Sequence, residues 1–97
     1  MKVVINRCFG SFSLSDEACE MLNCDKYDYS YSVDDDYIRA NVKLISVVEN
    51  LGCEKASGYM SKLKIVEIPD ETTDFMISDY DGVETLIYII DGKIHTN

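Results

Sequence analysis

The sequence predicts an α+β domain: a small, mainly antiparallel sheet with two short helices packed on one of its faces. Three patterns point there. A β-branched run opens the chain, two stretches carry apolar residues at helical spacing, and the last third alternates apolar and polar residues between turn signals. With 97 residues there is room for one core, so residues 1–97 are read as a single domain.

Val3, Val4 and Ile5 form the first strand, because branching at Cβ favours the pleated conformation. Cys8 to Ser13 reads as a turn. A helix then starts with Ser13 or Ser15 as N-cap and Asp16 and Glu17 in its first turn, and runs to about Asn23. Leu14, Ala18, Met21 and Leu22 give it one apolar face. Tyr27, Tyr29, Tyr31 and Val33 alternate, as in a strand or extended loop. Asp34, Asp35 and Asp36 end it, since three adjacent carboxylates resist burial. Asn41 caps a second helix with Leu44, Ile45, Val48 and Leu51 on its inner face, closed by Gly52 in the left-handed conformation. A further helical turn over Glu54 to Ser57 would stop at Gly58. Lys62 to Ile68 is a strand ended by Pro69. Residues 75–80 and 83–90 make a hairpin about Asp81-Gly82, and Asp91-Gly92 turns the chain again into a short edge strand or tail.

Composition narrows the function. Eighteen acidic against nine basic residues give a net charge of −9, which disfavours direct binding to nucleic acid and favours a basic partner. No run is long enough for a membrane helix, and the start of the chain lacks the features of a signal peptide, so a cytoplasmic protein is expected. Cys8, Cys19, Cys24 and Cys53 read as reduced thiols, with two disulfides as the alternative. Their spacing, with His95 as the one histidine, does not match a zinc site. No cofactor is expected.

Four clusters are candidate sites. Arg7, Gly10, Ser11 and Ser13, in a loop before a helix N-terminus, could hold a phosphate or carboxylate, although Asp16 and Glu17 oppose it and neither a P-loop nor a dinucleotide fingerprint is present. A tight turn with a capped helix is the plainer explanation. Cys8 as nucleophile lacks a base, His95 being far along the chain, so no catalytic residues are assigned and the chain is expected not to be an enzyme. Asp34, Asp35 and Asp36 do not follow the calcium-loop pattern. They are read as a solvated loop that steers a basic partner, together with Asp79, Asp81 and Glu84 around the Gly82 turn. Tyr27, Tyr29 and Tyr31 offer large contact area at low entropic cost, or are part of the core.

Two stretches, MKVVINRCFGSFSLS at 1–15 and the segments LISVVENLG, ASGYMSKLKIVEIPD and SDYDGVE within 39–84, resemble a widespread family of small uncharacterised proteins of bacteriophages and prophages. The likeness covers about two thirds of the chain. The Tyr- and Asp-rich middle and the 86–97 ending depart from it. The resemblance implies a phage origin and a host bacterial cytoplasm. With the acidity it suggests a non-enzymatic inhibitor of a host defence protein, such as an anti-CRISPR, that blocks a basic nucleic-acid groove. The alternative is a protein that sequesters a nucleotide signal or another small anion at the Cys8 to Ser15 loop.

Overall fold

The computed structural model describes residues 1–25, 27–29 and 36–97. Strand β1 (Lys2–Asn6) leads to helix α1 (Asp16–Leu22). After a 3-10 helix (Asp36–Ala40) come helix α2 (Val42–Leu51) and the one-turn helix α3 (Cys53–Ala56). The rest is strand: β2 (Leu63–Glu67), β3 (Asp74–Tyr80), β4 (Val83–Ile90) and β5 (Lys93–Thr96). This is the mixed α+β class that the sequence predicts, with one change of plan: the strands of the described residues form two sheets. β1 and β2 form an antiparallel pair, and β3, β4 and β5 form an antiparallel meander.

β1 lies between layers. Val4, with Leu63 on β2, packs against Leu14, Ala18, Leu44, Val47, Val48 and Ala56 of the helical layer. Val3 and Ile5 turn the other way and meet Val66, Ile68, Phe75 and Leu86 of the meander. A two-residue period thus feeds two separate cores.

The local signals act as their chemistry dictates. Ser15, not Ser13, caps α1 by accepting from the Ala18 N–H at 3.2 Å, and Asn23 closes it in the left-handed conformation. Met21 faces solvent, correcting its expected place on the apolar face. Asn41 accepts from the N–H groups of Lys43 and Leu44. Gly52 has positive φ but extended ψ (87°, 149°), not the left-handed helical cap expected, because the chain passes straight into α3. Asp81-Gly82 and Asp91-Gly92 both have positive φ, as two-residue hairpin turns of mirror type require. Tyr27 and Tyr29 lie in a turn, so the expected alternating strand does not begin there; Tyr31, Val33, Asp34 and Asp35 fall outside the described residues. Asp36 opens the 3-10 helix.

The two sheets stay apart because side chains occupy the β1 edge that faces β4. Arg7 N–H donates to the Lys62 carbonyl at 2.8 Å and Ile68 N–H to the Met1 carbonyl at 2.9 Å. In an antiparallel ladder this fixes which residues bond inward, and it turns the backbone of Val4 and Asn6 outward. Asn6 N–H donates to Glu84 Oε1 at 2.6 Å, and the Val4 carbonyl accepts from Arg39 at 3.3 Å. Arg39 and Glu84, each 3% exposed, are joined by two bonds of 2.7 and 2.8 Å. The ion pair takes the place of a neighbouring strand.

Candidate functional site

One end of the molecule gathers three loops: Arg7 to Gly10 after β1, Gly58 to Ser61 before β2, and the Asp81-Gly82 turn. Asn6 ties them together and is fully buried. Its amide nitrogen donates to the carbonyls of Cys8 (3.0 Å) and Gly82 (2.7 Å). Its amide oxygen accepts from Lys62 N–H (2.8 Å) and Ser61 Oγ (3.3 Å). One short side chain thereby bonds all three loops.

The loops touch so closely that glycine is required at the crossing. Gly10 N–H donates to the Asp81 carbonyl at 3.0 Å. A Cβ on Gly82 would come within 1.9 Å of the Gly10 oxygen, and one on Gly10 within 2.4 Å of the Met60 oxygen. Met60 itself has φ 62°, a conformation costly for a residue with a long side chain.

This rigid frame presents large side chains to solvent: Phe9 (64% exposed), Tyr59 (91%), Met60 (57%) and Tyr80 (75%). The charges around them have both signs. Asp79 and Asp81 are exposed as expected, Asp79 Oδ1 accepting from Gly82 N–H at 2.8 Å, and Arg7 and Lys62, of the other two loops, are exposed as well. Glu84 does not join this rim. Strand alternation puts it on the same inward face as Leu86, where it serves Arg39 and Asn6, correcting its expected role as a surface contact.

Of the four residues of the proposed anion loop, Arg7, Gly10 and Ser13 are bonded within the chain. Gly10 N–H is held by Asp81. Ser13 is buried, its N–H bonded to Ser61 Oγ and its hydroxyl donating to the Tyr59 carbonyl. Arg7 donates to the Glu84 carbonyl at 3.0 Å. Ser11 is exposed. The Cys8 thiol has the Met60 carbonyl (3.4 Å) and Asn6 Oδ1 (3.6 Å) as alternative acceptors for its one proton, and among the described residues no basic side chain is bonded to it in the manner of a catalytic pair.

Tyr29 is half-buried and its carbonyl accepts from Arg39 Nε, so it helps hold the buried ion pair, whereas Tyr27 is exposed. Burial, then Cys24 and Asp28, raise the Tyr29 hydroxyl pKa. Arg39 also lies over the Phe12 ring, 3.7 Å from its centroid, a favourable cation–π contact. All four cysteines are free thiols, and burial, followed by Cys19, pushes Cys24 up to about 11. Among the described residues no group of three or more His, Cys, Asp or Glu is placed to hold a metal ion, and no helix is long and apolar enough to cross a membrane.

Sequence reasoning located Asp79 and Asp81 but missed Phe9, Tyr59, Met60 and Tyr80. An available signal was their position: large apolar residues in or next to turns marked by Gly10, Gly58 and Gly82 have little core to enter. No protein family, curated protein or solved structure matches the chain.

Proposed function

We propose that the chain is a non-enzymatic binding protein that docks on another protein through this loop end, with Phe9, Tyr59, Met60 and Tyr80 as anchors. The observation that carries the reading is their exposure on loops, and for Tyr80 at the end of β3, locked by Asn6, Gly10 and Gly82. Tyrosine, phenylalanine, methionine and arginine are the residue types enriched in protein interfaces, and a preformed surface avoids the ordering cost of binding. The partner is a host protein with an apolar hollow in a basic surface, of the nucleic-acid-binding kind that a counter-defence inhibitor would block. The net charge of −9 draws it in from a distance. Close contact is apolar, since Arg7 and Lys62 offset Asp79 and Asp81.

The test is capture of proteins from a bacterial host lysate on the immobilised chain, followed by native mass spectrometry and measured affinity for the captured protein. Tyr59→Ser and Tyr80→Ser each weaken that affinity by about thirtyfold, the effect of losing about 2 kcal/mol at an interface anchor. Met76→Ser, on the meander, leaves it unchanged. A captured protein indifferent to Tyr59 and Tyr80, or a bound nucleotide-sized mass in place of a protein, rejects the reading.

A further inference from the structure

The two edges of the β1–β2 sheet are treated differently. Side chains of Arg39 and Glu84 close the β1 edge, but among the described residues nothing equivalent covers β2. The ladder that turns Val4 and Asn6 outward also turns outward the backbone groups of Leu63, Ile65 and Glu67. Leu63 N–H donates to Ser57 Oγ at 2.9 Å. Beyond it, among the described residues, the Leu63 carbonyl, both backbone groups of Ile65 and the Glu67 N–H have no hydrogen-bond partner within the chain.

A cleft of about 550 Å³ lies where this edge begins, between α3 and the start of β2, with Cys53, Glu54, Ser57, Ser61, Lys62 and Leu63 among its walls. Charge along the edge differs from that of the molecule. Lys62 and Lys64 are exposed, and Glu67 stands opposite Lys2 in the ladder, the Lys2 ammonium being bonded to Glu49 at 2.8 Å. A row of unpaired donors and acceptors is a template for another strand, and here it carries lysines on an otherwise acidic protein. β5 is also an edge, but it is shorter and is exposed along its length.

We propose that the β2 edge takes up an acidic extended segment of another protein as a third strand, its leading end seated in the cleft beside α3. This contact adjoins the loop end at Ser61 and Lys62 but does not depend on the function proposed for it. Backbone bonds to Ile65 and Glu67 supply the pairing, and Lys62 and Lys64 select acidic side chains.

The test uses two synthetic peptides of about nine residues, a common strand length: one alternates valine and glutamate, the other valine and lysine. Affinity for the full chain is measured by fluorescence anisotropy, and amide exchange is followed by NMR. The glutamate peptide binds at least about tenfold more tightly than the lysine peptide, a difference of about 1.4 kcal/mol, and slows exchange at Ile65 and Glu67. Glu67→Pro abolishes binding, yet removes only an N–H that points away from β1. Lys62→Glu with Lys64→Glu leaves the backbone intact and reverses the preference between the peptides. The proposal is overturned if neither peptide binds, if the lysine peptide binds as well, or if protection falls on Ile94 and Thr96 of β5. Protection of Ile65 and Glu67 that rises with protein concentration alone also overturns it, giving the edge to a second copy.

Discussion

Removing either member of the buried Arg39–Glu84 pair should bring the fold close to its stability limit. In Glu84→Ala the Arg39 guanidinium, 3% exposed, loses both carboxylate bonds, and Asn6 N–H loses its acceptor at 2.6 Å. Breaking a buried pair in this way costs about 3–5 kcal/mol, whereas a domain of this length has about 5–15 kcal/mol in all. Arg39→Ala should cost a similar amount, since it strands the carboxylate and also frees the carbonyls of Val4 and Tyr29. Independent effects would sum to about 6–10 kcal/mol. The double variant should instead cost about 3–5 kcal/mol, because no unpaired charge is left behind and the remaining loss is the uncovered β1 edge. Urea unfolding followed by circular dichroism gives all three values from one set of transitions. Single losses below about 1 kcal/mol, or a double variant equal to the sum of the singles, would refute the account of the pair as the element that closes β1.

Two further outcomes follow from local features. Met60→Gly relieves a left-handed backbone at φ 62° and should raise stability by about 1 kcal/mol, read as a higher urea midpoint, while weakening partner binding through loss of an anchor. Cys24 is held above its ordinary 9.0, at about 11, by burial and by Cys19. The folded chain therefore keeps this proton where the unfolded chain releases it. Stability from this source is complete below pH 9 and falls as pH rises toward about 11. The fall is of order 1 kcal/mol after allowance for partial solvation, and Cys24→Ala should flatten it in unfolding measurements across that range.

The elements that could be read from the sequence are those whose cause is local. Asp81-Gly82 and Asp91-Gly92 demand positive φ at consecutive residues, so both hairpins were legible, and Asn41 announced α2 through its side-chain cap. The division into two sheets was not legible, because it depends on Arg39 meeting Glu84 across 45 residues of chain, and nothing near Arg39 in the sequence marks it for burial. Glu84 did carry a signal. It shares strand parity with Leu86 and Tyr88, which places it inward, but its neighbours Asp79 and Asp81 made an acidic rim the simpler reading. The loop end was only half visible: the turn chemistry was clear, but the approach of Gly10 to Gly82 arises from packing between segments more than 70 residues apart.

The position of β1 also bears on how the chain reaches its fold. This strand precedes its partners in the sequence, yet it is complete only when residues of the 3-10 helix, β2 and Glu84 have joined it. At about 5–20 residues per second of synthesis, some 4–16 s separate the appearance of Asn6 from that of Glu84. Such non-local closure is slow to nucleate, and during the wait Val3, Val4 and Ile5 stand as an unpaired apolar strand. Lys2 and Arg7 flank that run, placing charge where two nascent chains would otherwise pair.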